Sequence, residues 1–299
     1  PDLIKEKLLS IQAPLDMAAH TFQTALLVGL DHWVDVKVLT SPSLRVSYKK
    51  IKKIEGFSFS HNHSKDKTDV YVGTNNSCVR KLSEVIRIYK HLKAALKENP
   101  ECCVCIYSLR TPFLLPVFVL KNKIKKSCVV VPDLPGYMSS STHFLRKFTK
   151  WIDRKIIDRC LNKIDSFVLL SELMKEHLPI GNKPWCLMEG IYNTSIKIID
   201  YPKEHNKTIL YTGGISVRYG VMDLVEAFTQ IKSSHYRLWL CGGIDNMAML
   251  EDYMKKDDRI EYYGIVDKDK VVELQQKATV LVNPRHSNEE FTKFSFPSK

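Results

Sequence analysis

Between residues 208 and 283 the chain repeats one pattern: a short apolar run, a turn rich in glycine or polar residues, then an amphipathic segment of helical period. The apolar runs are 208–212, 237–241, 259–263 and 278–283. Helical segments run from Arg218, over 248–255 and over 268–277. Strands that alternate with helices cannot pair as hairpins, so they assemble as a parallel sheet with helical crossovers. A looser version of the same alternation precedes residue 193, and 193–206 lapses into polar residues with one proline. Two successive β/α domains are expected, 1–195 and 196–299, with the linker between them and a cleft as the natural site.

The sharpest corner of this pattern is 207–220, KTILYTGGISVRYG. An apolar run meets Gly213 and Gly214, and Arg218 and Gly220 then lead into Val221, Leu224, Val225, Phe228 and Ile231 at helical spacing. Glycines permit close backbone approach, a helix N-terminus carries partial positive charge, and a guanidinium grips two oxygens at once. Such a corner fits a phosphate group, although an ordinary β–α turn has the same local sequence.

In the first half, 14–30 carries one apolar helical face (Leu15, Ala18, Ala19, Phe22, Leu26 and Leu30), and a strand is expected over 34–39. Short strands at 56–59 and 70–73 flank a polar excursion. A basic helix over 78–98 is expected to bury Val79, Leu82, Ile86, Tyr89, Leu92 and Leu96. Strands at 102–107 and 127–131 bracket an apolar helix from Thr111. The second of them ends in Pro132-Asp133-Leu134-Pro135, which places Asp133 beyond the carboxyl end of a strand, where ligands of open α/β sheets bind. Asp133 also reads simply as the opening of a Pro-Gly turn. The helix 143–163 sets Phe144, Phe148, Trp151, Ile152 and Ile156 among seven basic residues. It reads either as a core helix with a solvated face or as a wedge for an acidic membrane surface. Strands at 166–170 and 185–188 complete this half.

The 299 residues carry 45 Lys plus Arg against 33 Asp plus Glu, a net charge of +12 that favours anionic partners. The basic residues are spread over many helices rather than set among stacking aromatics, which argues against nucleic acid. The longest apolar run, 111–120, contains two prolines and is too short to span a bilayer. Eight scattered cysteines show neither zinc-ligand spacing nor a disulfide framework and read as buried, reduced thiols of a cytoplasmic protein. His61 and His63 lack a third nearby ligand, so no metal site is expected. With no initiator Met at Pro1 and an end inside a motif at Lys299, the sequence reads as a fragment.

Taken together, YTGGISVRYG (211–220), LWLCGG (238–243), RIEYYG (259–264), ATVLVNP (278–284) and NEEFTKFSFPSK (288–299) resemble the donor-binding half of group 1 (family four) glycosyltransferases. The first half looks like their acceptor domain through Ala18-Ala19, Pro132-Asp-Leu-Pro135 and DSFVLLSE (165–172). The resemblance implies a GT-B fold of two Rossmann-like domains facing a cleft, the second truncated at its C-terminus, and is nearest to enzymes of capsular or exopolysaccharide synthesis. It implies a metal-independent transfer, with retention, of a sugar from a nucleotide diphosphate to a lipid-linked or oligosaccharide acceptor. No cofactor is implied, and peripheral contact with the inner membrane face is.

By the same resemblance, Gly213, Gly214, Arg218 and Lys299 bind the donor diphosphate, and Tyr219 stands where many relatives carry Lys. Gly264, Ile265 and Val266 contact the nucleobase. Glu289 and Glu290 hold the sugar, with Glu290 and Asp133 as catalytic candidates and His20 a weaker one. The second Glu of the family's acidic motif would fall beyond Lys299. Two other readings stand beside this one: an epimerase of nucleotide sugars with the same architecture, and a non-catalytic partner subunit that binds nucleotide sugar.

Overall fold

The computed structural model of the protein describes residues 17–41, 57–60, 67–70, 77–135, 144–192, 199, 201–286, 292 and 294. The chain divides into two compact units, Pro1–Asn193 and Thr194–Lys293, with Phe294 grouped with the first.

The first unit opens with helix α1 (Met17–Asp31) and a small sheet of β1 (Leu39–Thr40), β2 (Phe57–Ser60) and β3 (Lys67–Val70) in the order β1-β3-β2. Of the strand expected over 34–39, only its last residue pairs. Strand β3 shares Val70 with the strand expected at 70–73, and 71–73 lie outside the described residues. Helix α2 (Ser77–Glu98) follows, then β4 (Cys103–Tyr107), α3 (Thr111–Val119), β5 (Lys126–Val131), α4 (Phe144–Leu161), β6 (Ser166–Leu169) and β7 (Trp185–Leu187). Strands β4-β5-β6-β7 form one parallel sheet in chain order, Cys105 opposite Cys128 and Val129 opposite Phe167. Helix α3 packs between α2 and α4. Leu114, Val129, Val131, Leu161, Phe167, Leu169 and Met174 form the core.

Two faces differ from the sequence expectation. On α2, Leu96 is buried and Tyr89 and Leu92 pack against the core as expected, but Leu82 and Ile86 are exposed and Glu84 and Ile88 are buried. The departure is confined to the 82–88 stretch, where Glu84 has a partner inside, Arg110. The cysteines are expected to be buried, yet among those described Cys103, Cys105 and Cys186 are exposed, Cys102 and Cys128 half-buried, and Cys160 and Cys241 buried. Along β4 the alternation aims Ile106 at the core, so Cys103 and Cys105 fall on the opposite face. At the amino ends of β5 and β6, burial works against the charge of Asp165. Hydrogen bonds from Lys121 and from the hydroxyl and amide of Ser127 outweigh it and hold the carboxyl at about 2.

The second unit runs β8 (Lys207–Thr212), α5 (Val221–Thr229), β9 (Tyr236–Cys241), α6 (Met247–Lys256), β10 (Ile260–Tyr262), α7 (Lys268–Lys277) and β11 (Val280–Leu281). All four strands are parallel, in the order β10-β9-β8-β11. The helix expected from Arg218 starts at Val221, after a 3-10 turn over Val217–Tyr219. Asn246 and Asp267 cap α6 and α7 by accepting the amides of Met249 (3.4 Å) and Lys270 (2.8 Å). One sheet face packs Tyr211, Val225, Phe228, Leu238 and Leu240; the other packs Leu210, Trp239 and Leu274. The end of the expected linker is fastened to this unit: Lys203 donates to the Ala278 carbonyl (2.7 Å), and the Glu204 amide to that of Lys277 (3.2 Å). Among the described residues no helix is long and apolar enough to cross a membrane.

Candidate functional site

Strand order locates the site of the second unit. From β8 the chain crosses to β9 and then β10 on one side, and β11 returns on the other side of β8. The carboxyl ends of β8 and β11 therefore flank a topological switch point, the place at which ligands of open α/β sheets bind. Gly213, Gly214 and Arg218 follow β8; Pro284, Arg285 and His286 follow β11.

The loops at this edge are laced by backbone. The amide of Gly213 donates to the Cys241 carbonyl (2.7 Å), that of Ile215 to Gly243 (2.7 Å) and that of Gly242 to Gly264 (2.8 Å). Two tyrosines reinforce the lacing: the Tyr211 hydroxyl donates to the Gly214 carbonyl (2.9 Å) and that of Tyr262 to Gly242 (2.8 Å). Burial pushes both phenols up, so each stays a donor at neutral pH. Gly220 caps α5 in the left-handed conformation, φ 70°. A Cβ there would lie 2.0 Å from the Pro284 carbonyl oxygen, so glycine is required for the β11 loop to cross the start of α5.

That crossing gathers charge. The guanidinium of Arg285 stacks 5.3 Å above the Tyr219 ring, and His286 Nε2 lies 3.3 Å from Asp223 in the first turn of α5. The Tyr219 ring in turn rests against the Gly214 backbone, 3.3 Å from where a Cβ would be. Arg218 is exposed in the 3-10 turn beside it. Of the residues expected at the nucleobase, Gly264 and Ile265 sit beyond β10 on the same sheet edge, Ile265 84% exposed; Val266 packs against the core of Leu210 and Trp239. Glu289, Glu290 and Lys299 lie outside the described residues.

In the first unit, Asp133 is exposed beyond the carboxyl end of β5. At the neighbouring end of β4, Ser108 has φ 75°, among the described residues the one non-glycine with positive φ. Such strain is held only where surroundings enforce it. Arg110, two residues on, donates to the Ser41 carbonyl (2.9 Å) and pairs with buried Glu84 (3.2 Å), which also accepts the Ser41 hydroxyl (2.8 Å). His20 is half-buried on α1. Sequence reasoning did not single out Arg110, Glu84 or Arg285. The signal for Arg285 was its place directly after the strand-ending Asn283-Pro284.

A hollow of about 420 Å³ lies at the opposite, amino end of the second sheet, between Thr229, Tyr253, Lys256 and Arg259. Arg259 is engaged there by Asp257 and by the carbonyls of Ile231 and Ser233, and no strand carboxyl end faces it. We therefore assign that hollow to packing. Among the described residues no three His, Cys, Asp or Glu side chains are gathered as metal ligands.

By sequence, no known family and no curated protein matches the chain. By structure it is similar to WaaG, a glycosyltransferase involved in lipopolysaccharide biosynthesis, over 91% of this chain and 72% of that one, with 14% identity and a TM-score of 0.56. Lower scores relate it to a putative UDP-N-acetylglucosamine 2-epimerase from Listeria monocytogenes (TM-score 0.49, 13% identity, 83% and 74% covered). They also relate it to the apo lipopolysaccharide outer core galactosyltransferase WaaB (0.45, 16% identity, 74% and 58% covered). The chain thus spans less than two thirds of the length of WaaB. With its parallel sheets and interleaved helices, the chain has the α/β architecture of the GT-B glycosyltransferases.

Proposed function

We propose that the protein is a retaining glycosyltransferase that moves a sugar from a nucleoside-diphosphate donor to a lipid-linked or oligosaccharide acceptor of a cell-surface polysaccharide. The observation that carries this reading is the topological switch point of the second unit, with the Gly213-Gly214 turn, the start of α5 and exposed Arg218 beside it. When the glycosidic bond to the donor breaks, negative charge grows on the leaving diphosphate. Arg218 and nearby backbone N–H groups supply fixed positive charge to it, so no metal is needed for that step. In this reading the second unit binds the donor and the first the acceptor. Gly264, Ile265 and Val266 lie against the base, Glu289, Glu290 and Lys299 against the sugar and phosphates, and Asp133 beside the reacting hydroxyl.

Calorimetric titration with UDP, GDP and ADP tests the reading. One of them is expected to bind, and Arg218→Ala to weaken it by about 1.5–3 kcal/mol, the scale of hydrogen bonds to a charged group. Unchanged affinity would remove Arg218 from the site. Product analysis with the matching nucleotide sugar then separates transfer from epimerisation.

The acceptor side of this proposal includes contact with an acidic membrane. On α4, Phe148, Trp151 and Ile152 are exposed rather than core, and the rings of Phe148 and Trp151 stack at 6.2 Å. Exposed Lys147 flanks them, and Lys155 lies 5.9 Å from the Trp151 ring. Arg154 is instead engaged within the unit, where it pairs with Asp158 and donates to the carbonyls of Pro135 and His177. Each basic residue near an anionic surface contributes about 1 kcal/mol. A Lys147→Glu, Lys155→Glu variant is therefore expected to bind phosphatidylserine vesicles more than about tenfold more weakly. Equal co-sedimentation with the parent would make the helix purely structural.

A further inference from the structure

We propose that Arg285 is a further diphosphate-binding cation, delivered from the β11 side of the switch point to complement Arg218 on the β8 side. The inference rests on the nucleoside-diphosphate reading given above and assigns that site a residue from a different loop.

A diphosphate presents two phosphoryl groups and more than one negative charge, and one guanidinium matches the oxygens of only one of them well. A switch point flanked by two loops can offer a cation from each. On one loop stands Arg218, and on the other Arg285 is the first charged residue after β11. The two loops meet at Tyr219, the neighbour of Arg218 in sequence, whose ring lies between the Gly214 backbone and the Arg285 guanidinium. The two cations therefore belong to one corner although 67 positions separate them in sequence.

Arg285 is also held in place from both sides. The Pro284 carbonyl lies against Gly220, where any side chain would collide with it, and His286 is tied to Asp223 on α5. Its backbone is thus anchored at the residue before and the residue after. A guanidinium held over an aromatic ring by cation–π attraction keeps in-plane N–H donors with which it can grip an oxyanion. A cation ordered before the ligand arrives loses less rotamer freedom on binding than a free lysine would.

The test titrates the full chain, its Arg285→Ala, Arg285→Gln and Arg285→Lys variants and Tyr219→Ala with UDP, GDP and ADP, and with the corresponding nucleosides, which lack phosphate. Arg285→Ala and Arg285→Gln are expected to lower the affinity of the nucleotide that binds the parent by about 10- to 100-fold, with nucleoside affinity unchanged. Arg285→Lys should keep part of the affinity, and Tyr219→Ala, which leaves the charge but removes its platform, should lose about 3- to 10-fold. Adding Tyr219→Lys to Arg285→Ala puts a cation back at the same corner and should restore part of the loss. Arg285→Gln keeps much of the stem, so it serves if the alanine variant folds poorly. A parent that binds none of the three nucleotides overturns the donor reading and this inference with it. A parent that binds while Arg285→Gln binds equally well overturns the inference alone.

Discussion

Gly242→Ala is expected to destabilise the second unit by roughly 4 kcal/mol, combining about 1–3 kcal/mol of backbone strain with about 1–3 kcal/mol of overpacking. Gly242 has φ 137°, and a Cβ there would lie 1.9 Å from the carbonyl oxygen of Gly213 and 2.7 Å from its carbon. Those atoms are backbone of the neighbouring loop, and that loop cannot swing aside as a side chain would. The Gly213 amide is tied to the Cys241 carbonyl, and the Gly242 amide and carbonyl are tied to Gly264 and Tyr262. The alanine must therefore break the lacing among the loops after β8, β9 and β10, and with it the shape of the corner proposed to hold the phosphates. Urea denaturation measures the loss, and nucleotide titration measures its effect on the site. Gly264→Ala is the control: φ is 69° but nothing lies within 4 Å, so only the left-handed strain of about 1–2 kcal/mol applies. If both variants unfold at the same urea concentration, the close approach of Gly242 to Gly213 is not what requires glycine there.

The alternation of apolar runs and amphipathic segments carried the second unit well, because in a parallel sheet each strand and each crossover helix has its own local period. It placed α7 at its observed bounds and α6 within one residue at each end. It could not carry the side of β8 to which β11 returns. That choice is a long-range pairing, and Arg285 joins the site only through it. The glycine-rich corner was readable because its geometry is local, while the proposed pairing of Arg285 with Arg218 draws on both ends of the unit. In the first unit, the apolar count misjudged α2: it treated Leu82 and Ile86 as interior and Glu84 as solvated. The partner that reverses this, Arg110, follows 26 positions later and is invisible to a helical wheel. On α4 the apolar residues Phe148, Trp151 and Ile152 suggested both core and membrane wedge, and only the packing of α3 on the other side of the helix shows them exposed.

Glu84→Ala should then destabilise the first unit by about 3 kcal/mol, the range in which breaking a buried ion pair falls. The carboxylate is 1% exposed, pairs with Arg110 at 3.2 Å and accepts the Ser41 hydroxyl at 2.8 Å. Removing it orphans both donors, though the Arg110 side chain, 26% exposed and resting on the Phe113 ring, keeps some access to water. Glu84→Gln retains an acceptor and should cost less, about 1–2 kcal/mol, the loss of charge assistance in its hydrogen bonds. Arg110→Ala leaves the buried carboxylate without its counter-charge and should cost a similar amount, about 3 kcal/mol. The double variant Glu84→Ala, Arg110→Ala should be less unstable than the sum of its parts, because each single variant leaves one charge unpaired and the double variant leaves none. The cluster ties the loop after β1 to α2 and to the loop after β4, where Ser108 is held at positive φ. Single variants should therefore also speed hydrogen exchange at the ends of β1 and β4 before they affect β6. Additive losses in the double variant, with exchange spread evenly over the sheet, would mean that Glu84 and Arg110 act separately and that Ser108 is held by something else.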